Sequence, residues 1–283
     1  MLAAKQCFRL NSMRCLSTSA MRQSKLISSS LSVDDRTGIA TLELNRPPVN
    51  SLNQPLLQEI STVLTDLGKN KSKGLILTSS SPSVFSAGLD ILEMYKPDPE
   101  KAKLFWTTLQ EVWLKLYGSS FPTAAAISGH APAGGCLLAL CCEYRVMCPK
   151  LTIGLNETRL GIVAPVWFQS SMRNVISVRD TEKALTLGTM FSTDEALKIG
   201  LIDEVAADKQ DAIKRCEEFL LQFSKVSFDA RAITKKNLRG KDLAELENNR
   251  EGDLQTFLFF LNQPKVQKGL ELYLQSLKTK KSS

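Results

Sequence analysis

Blocks of apolar and polar residues predict a series of short strands and helices. Alternating residues at 37–45 indicate a strand that ends at an Arg-Pro-Pro turn. Apolar residues at helical spacing indicate amphipathic helices at 56–67 and 101–117. Short apolar runs predict further strands at residues 74–78, 123–127, 144–147 and 151–153. Because strands and helices alternate with short loops, the pattern predicts an α/β fold.

The remaining helical patterns divide the chain into two regions. Residues 134–142 are apolar on every side, which predicts a buried helix. From Thr181 onward the pattern is mainly helical, and no repeat of fixed length is present. We therefore predict an α/β core at residues 34–207 and a C-terminal helical region at residues 208–283.

The first 33 residues differ in composition from the rest of the chain. They contain no acidic residue, are rich in Ser and Thr, and carry five basic residues, Lys5, Arg9, Arg14, Arg22 and Lys25. This composition is typical of a mitochondrial transit peptide, so we predict a disordered leader and a location in the mitochondrial matrix. The sequence Arg-Cys-Leu-Ser at residues 14–17 resembles a matrix-protease site. The alternative is a basic tail without a targeting role.

Charge, hydropathy and metal-binding residue types narrow the function. The 283-residue chain has a net charge of +7, most of which lies in the leader, so nucleic-acid binding is not favoured. No apolar run reaches the length of a membrane span. The seven cysteines form no C-x-x-C pair, and His130 is the single histidine, so neither a zinc site nor another metal site is expected.

Two glycine-bearing turns and one carboxylate carry the candidate chemistry. The turns lie around Gly88 and Gly134, and each follows a predicted strand and precedes a predicted helix, where free N–H groups can bind an oxyanion. A phosphate-binding P-loop is excluded, because Gly135 and Cys136 stand where Lys and Ser/Thr should follow. Glu157 lies in an otherwise largely apolar run, which favours a raised pKa and an acid/base role. The alternative for Glu157 is an ordinary carboxylate at a helix N-terminus. Together, the three features predict enolate chemistry on a thioester.

The same motifs resemble a known family. Phe-Ser-Ala-Gly-Leu-Asp at residues 85–90 and Ala-Gly-Gly-Cys at 133–136 are similar to motifs of the crotonase (enoyl-CoA hydratase/isomerase) superfamily. Residues 128–136, 153–157 and 160–165 are most similar to its mitochondrial 3,2-trans-enoyl-CoA isomerase branch. The resemblance implies a crotonase-like spiral of ββα units with a C-terminal helical trimerisation region. It also implies a homotrimer that acts on an acyl-CoA and needs no cofactor, because coenzyme A is part of the substrate.

The resemblance also assigns roles to individual residues. The N–H groups of Leu89 and Gly134 would form an oxyanion hole, and Glu157 would be the catalytic acid/base. The residues assigned to substrate binding are Ala87, Gly88, Leu89, Asp90, Ile91, Gly134 and Asn156. The implied reaction converts cis- or trans-3-enoyl-CoA to trans-2-enoyl-CoA in the β-oxidation of unsaturated fatty acids, with one glutamate moving a proton between C2 and C4.

Alternatives remain within and outside this chemistry. Hydratases of the family use a second glutamate at the position that Leu137 occupies here, which favours isomerisation. The alternatives are a hydratase or dienoyl-CoA isomerase of the same fold, or a non-catalytic RNA-binding relative. We expect Leu137, Leu155 and Ile162 to surround Glu157. The three tryptophans either belong to the core or line an acyl tunnel, and they are Trp106, Trp113 and Trp167.

Overall fold

The computed structural model describes residues 21–279, and the side chains of residues 26–276. The strands are β1 Met21–Lys25, β2 Ser29–Asp34, β3 Ile39–Leu44, β4 Gly74–Ser79, β5 Thr123–Ile127, β6 Ala131–Pro132, β7 Tyr144–Met147, β8 Thr152–Gly154, β9 Phe191–Ser192 and β10 Glu204–Val205. The α-helices are α1 Gln54–Lys69, α2 Pro99–Tyr117, α3 Gly134–Cys141, α4 Val166–Arg173, α5 Val178–Leu187, α6 Thr193–Lys198, α7 Lys209–Leu221, α8 Phe228–Asn248, α9 Arg250–Leu261 and α10 Pro264–Thr279. Short 3-10 helices lie at Ile91–Glu93, Glu157–Leu160 and Gln222–Lys225.

Two sheets form the frame of the fold. The larger sheet has the strand order β1-β2-β3-β4-β5-β7-β10, parallel from β3 onward and antiparallel at β1–β3. The smaller sheet has the order β6-β8-β9. Successive units run from a strand of the large sheet to a short extended segment and then to a helix, as in β5-β6-α3. This repetition is the predicted spiral of ββα units.

Burial explains why the central elements form where the sequence predicts them. Every residue of β4 and β5 is buried, since helices cover both faces of these strands. Helix α3 is buried along its whole length, as its uniformly apolar sequence predicts. Helix α1 begins at a cap in which the Asn53 side chain accepts a hydrogen bond from Leu56 N–H (3.2 Å).

The amino-terminal boundary of the ordered core differs from the predicted one. Residues 21–25 and 29–34 form β1 and β2, so disorder through residue 33 is wrong for this part of the chain. Strand β2 pairs with β3, and the Ser29 hydroxyl donates to Glu59 of α1 (2.7 Å). The prediction failed because it rested on the composition of residues 1–33, whereas main-chain pairing with β3 orders the Ser-rich segment 29–34. Residues 1–20, with the expected protease site, lie outside the described residues.

The boundary between the core and the C-terminal helical region also differs from the predicted one at residues 207/208. Helix α7 was predicted to belong to the C-terminal region, but it packs on the large sheet. Its residues Ala212, Cys216 and Leu220 lie in one buried cluster with Ile76 of β4 and Ala124 of β5. Their spacing of four places them on one helix face, which explains why α7 completes the core. Helices α8–α10 are the part that packs beyond it. No helix within residues 21–279 has the length and apolarity needed to cross a membrane.

Candidate active site

The two glycine turns lie side by side. Phe85 N–H donates to the His130 carbonyl (2.9 Å), and His130 N–H donates to the Ser83 carbonyl (2.9 Å). On the other side of the first turn, Leu52 N–H donates to the Gly88 carbonyl (2.8 Å). Main-chain bonds therefore fix the first turn against the second turn and against the segment before α1.

Glycine is required where the turns touch. Gly88 has a φ of +87°, and a methyl group there would lie 3.0 Å from the Gly134 amide nitrogen and 2.9 Å from the Ala133 Cβ. A methyl group at Gly135 would lie 2.3 Å from the Ser86 carbonyl oxygen. The absence of side chains therefore allows the backbone beside Leu89 to approach the amino terminus of α3.

This contact places two free amide groups next to each other. Gly134 is the first residue of α3, so its N–H has no acceptor within the helix. Within the described part of the chain, neither Gly134 N–H nor Leu89 N–H donates a hydrogen bond. One expectation needs correction, because the first turn leads into the 3-10 turn Ile91–Glu93 and the next helix, α2, begins at Pro99.

An adjacent loop holds the first turn from behind. Asn50 is buried, and its side-chain amide donates to the Ser79 hydroxyl (2.7 Å) and to the Phe85 carbonyl (3.2 Å). The Ser86 hydroxyl donates in turn to the Asn50 carbonyl (2.7 Å). Sequence reasoning missed this role of Asn50, although the Asn-Arg-Pro-Pro turn before it marked the loop.

Glu157 is a buried carboxylate. The residue is 8% exposed, and among the described residues neither carboxylate oxygen accepts a hydrogen bond. Burial disfavours the charged form and raises the pKa of Glu157 from 4.5 to about 7. The side chain is therefore suited to accept and return a proton near neutral pH.

One cavity contains most of the predicted site residues. It has a volume of about 380 Å³ and lies between the glycine turns, the loop around Glu157 and the helices α2, α4, α8, α9 and α10. The predicted site residues that line it are Ala87, Leu89, Ile91, Asn156 and Glu157. Gly88 and Gly134 lie directly beside the lining residues Leu89 and Ala133.

Asp90 does not line the cavity. Its carboxylate forms an ion pair with Arg46 (2.8 Å) and accepts a hydrogen bond from Leu92 N–H (3.0 Å). Its own N–H donates to the Leu52 carbonyl (3.0 Å). These bonds hold the turn that presents Leu89, so Asp90 contributes to the site by supporting the backbone.

Of the three apolar residues expected to surround Glu157, only one lines the cavity. Ile162 lines the cavity, whereas Leu137 and Leu155 are buried in the core behind it. Trp106 and Trp167 line the cavity, but Trp113 belongs to the core, where its indole N–H donates to the Ser171 hydroxyl (2.9 Å).

Sequence reasoning missed the contribution of α9 to this cavity. Asp253 and Phe257 line it together with the two tryptophans, and Asp253 accepts hydrogen bonds from both indoles. The available signal was an acid one turn before a phenylalanine in a mostly apolar stretch. It could not be paired with Trp106 or Trp167, which are distant in sequence.

His130 has a structural position. Its Nδ1 accepts a hydrogen bond from Thr152 N–H (3.0 Å), which ties the second turn to β8. Across residues 21–279, no group of three or more His, Cys, Asp or Glu side chains is placed to hold a metal ion.

Comparisons with known proteins give the same family as the motifs. The family model described as enoyl-CoA hydratase/isomerase matches residues 34–281. The chain belongs to the enoyl-CoA hydratase/isomerase family. The membership and the crotonase fold that we inferred from the two turns are thus confirmed.

Individual relatives show which members of the family this chain is similar to. The chain is 46% identical to mouse "Enoyl-CoA delta isomerase 1, mitochondrial" over 247 residues, which is 86% of this chain and 85% of the relative. It is 43% identical to the rat protein of the same name over 251 residues, covering 88% and 86%. Among solved structures, human mitochondrial delta3-delta2-enoyl-CoA isomerase superposes with a TM-score of 0.87 at 39% identity, covering 90% of this chain and 99% of that one. An enoyl-CoA hydratase from Bacillus halodurans shares the fold, with a TM-score of 0.76 at 23% identity over 89% of this chain and 99% of that one.

Proposed function

We propose that this enzyme is an enoyl-CoA delta isomerase that converts cis- or trans-3-enoyl-CoA to trans-2-enoyl-CoA in the β-oxidation of unsaturated fatty acids. The observation that carries the proposal is the buried carboxylate of Glu157, which has no hydrogen-bond partner among the described residues and lies in the cavity lined by Leu89 and Ala133, beside Gly134. The names and identities of the mouse, rat and human relatives support an isomerase.

The oxyanion hole supplies the first half of the mechanism. The thioester oxygen of the substrate accepts hydrogen bonds from Leu89 N–H and Gly134 N–H, which favour the enolate over the neutral thioester. One such donor lowers a barrier by about 2.7–4 kcal/mol in other enzymes. Because both donors belong to the main chain, their aim depends on the glycine contacts between the turns.

Glu157 supplies the second half. The carboxylate removes a proton from C2 of the 3-enoyl thioester, which leaves a dienolate with its charge on the thioester oxygen. The protonated carboxyl group then gives the proton to C4, and the double bond is left between C2 and C3. The carboxylate is regenerated, so one residue serves both steps.

The other acids of the cavity favour isomerisation over hydration. Asp242 is bound by Arg173 (3.3 Å) and Asn174 (2.6 Å), and Asp253 accepts hydrogen bonds from two indoles. Glu245 lies on the exposed side of α8. Since Leu137 is a core residue, no second carboxylate stands at that position to orient water for addition.

The partners and location follow as proposals. Coenzyme A would enter as part of the acyl-CoA substrate, with no further cofactor and no metal. The mouse, rat and human relatives are named as mitochondrial proteins, which supports a mitochondrial location. We place the enzyme in the matrix, delivered by a transit peptide at the amino terminus, and assembled as a homotrimer.

The deciding experiment compares two reactions and two substitutions. The wild-type protein should isomerise trans-3-hexenoyl-CoA far faster than it hydrates crotonyl-CoA. Glu157→Gln keeps the size of the side chain but cannot take a proton, and should lower kcat for isomerisation by about 10³-fold. Glu111→Gln is a matched control, because Glu111 pairs with Lys115 and Arg250 and does not line the cavity. Near-normal isomerisation by the Glu157 variant would overturn the proposal.

A further inference from the structure

One carboxylate holds two tryptophans of the cavity wall. Asp253 Oδ2 accepts from the Trp106 indole N–H (2.7 Å), and Asp253 Oδ1 accepts from the Trp167 indole N–H (3.0 Å). The side-chain amide of Gln110, which is fully buried, also donates to Oδ2 (2.7 Å). All three partners are N–H donors, so Asp253 acts as an acceptor and is already satisfied by the protein. Asp253 is therefore unlike Glu157 and has no proton-transfer role in this arrangement.

The rings that Asp253 holds form a continuous surface. Trp106 stacks on Phe257 with ring centroids 3.9 Å apart and planes 6° apart. Trp106 and Trp167 meet edge to face at 5.8 Å. We call Trp106, Trp167 and Phe257 the aromatic wall, and all three line the cavity that holds Glu157.

The wall is assembled from distant parts of the chain. Its rings come from α2, α4 and α9, and Asp253 is the residue that bonds to both indoles. A second joint fastens α9 to α2 outside the cavity, where Arg250 donates to Glu111 (2.9 Å) and to the Gln110 side-chain oxygen (3.2 Å). The position of α9 therefore does not depend on Asp253 alone, whereas Asp253 is the residue that accepts a hydrogen bond from each of the two indoles.

We propose that Asp253 is a positioning residue that sets the acyl-chain-length preference of the cavity by fixing the aromatic wall. This inference rests on the proposed function, since it takes the acyl tail of an acyl-CoA as the ligand that meets the wall. An apolar tail gains from each methylene that it buries, and that gain ends where rigid rings close the space. A wall held in place by hydrogen bonds therefore sets a strict limit on the length of acyl tail that the cavity can bury.

Two substitutions act on the wall in different ways. Asp253→Asn leaves one acceptor oxygen and presents an NH₂ group to the second indole, which then loses its partner and its fixed orientation. Phe257→Ala removes the ring stacked on Trp106 and lengthens the space available to a tail. Asp253→Asn should weaken the preference for one tail length over another. Phe257→Ala should shift that preference toward longer tails.

The test measures binding, so it does not depend on catalysis. Dissociation constants of butanoyl-, decanoyl- and tetradecanoyl-CoA are measured by calorimetry for the wild-type protein and each variant. For Asp253→Asn, we expect the preference for decanoyl- over butanoyl-CoA to fall by about fivefold, with butanoyl-CoA affinity little changed. For Phe257→Ala, the preference for tetradecanoyl- over decanoyl-CoA should rise by about fivefold.

A control separates positioning from helix docking. Glu111→Gln weakens the joint between α2 and α9 without touching an indole, and should leave both length preferences unchanged. An unchanged length preference in Asp253→Asn would overturn the inference, whatever Phe257→Ala does, and so would equal effects in Glu111→Gln and Asp253→Asn. Either result would leave the proposed function intact, because that function stands or falls on Glu157→Gln.

Discussion

Two glutamates of this protein, the buried Glu157 and the partly buried Glu143, have pKa values shifted in opposite directions. Glu157 lies in the cavity with no hydrogen-bond partner among the described residues, and burial raises its pKa to about 7. Glu143 lies between α3 and β7, where burial also raises the pKa, but Lys235 and Arg231 of α8 reverse the effect and the pKa is lowered. Burial alone therefore does not decide whether a carboxylate is a base, because the partners around it determine which form is favoured.

Glu143 and Glu157 lie at opposite ends of the parallel strands. Glu143 precedes β7 and accepts hydrogen bonds from Thr123 N–H (3.1 Å) and Lys235 (3.0 Å), so it joins α8 to the amino-terminal edge of the sheet. Glu157 follows β8 and faces the cavity beside the turns at the carboxyl ends of the parallel strands. Ligands of parallel α/β sheets usually bind at that edge. The ionic cluster is thus structural, whereas the unpaired acid is available for chemistry.

The largest expected effect on stability comes from the ionic cluster. Glu143→Gln leaves Arg231 and Lys235 buried without their countercharge and should lower the free energy of unfolding by about 3–5 kcal/mol. Denaturant titration measures this change. The folded variant should keep kcat for isomerisation within about threefold of wild type, because Glu143 does not line the cavity.

The pH dependence of the stability lost in Glu143→Gln tests whether the loss is ionic. Because the pKa of Glu143 is lowered in the folded protein, its contribution is present above its ordinary pKa of 4.5 and is lost as the pH falls toward the lower folded value. The difference between wild type and Glu143→Gln should therefore shrink in acid. A difference that stays constant on acidification would contradict the ionic role of Glu143.

A smaller effect is expected at the turns, and it should fall on catalysis. In Gly88→Ala, the added methyl group would lie 3.0 Å from the Gly134 amide nitrogen and would force the two turns apart. Misaligned donors should lower kcat by about 10²-fold. Steady-state kinetics with trans-3-hexenoyl-CoA measures the change.

Gly200→Ala is the matched control for backbone strain. Gly200 has a φ of +78°, and a methyl group there would meet no atom within 4 Å. Both alanine variants carry the strain of a left-handed residue, but Gly200→Ala should keep its kcat. Equal loss of kcat in the two variants would show that strain, and not the separation of the turns, is responsible.

Local sequence signals predicted the central elements and the two turns. Uniformly apolar residues predicted that α3 is buried, and the glycines around residues 88 and 134 predicted two turns with free N–H groups. The assignment of α7 to the helical region failed, because an amphipathic stripe does not reveal which surface it covers. Strands β1 and β2 were missed because β1 pairs with β2 and β2 pairs with β3 through main-chain bonds, which leave little trace in a Ser-rich sequence.

The site was predictable where it is local in sequence and unpredictable where it is not. Glu157 could be singled out because its neighbours in the chain are apolar. Asp253 could not, because its partners Trp106 and Trp167 are 147 and 86 residues away in sequence. The same limit applies to Asp90, whose carboxylate is taken by Arg46, a partner that no motif identifies.

In the proposed mechanism, Glu157 acts as a base whose pKa is raised by burial. The most direct test is the pH dependence of kcat/KM for trans-3-hexenoyl-CoA, which reports the ionisation of the free enzyme. We expect kcat/KM to rise with pH through a single apparent pKa of about 7 and to level off above it, because the carboxylate is the active form. A profile that is already level at pH values between 5 and 9, about the range in which folded domains are most stable, would contradict the account.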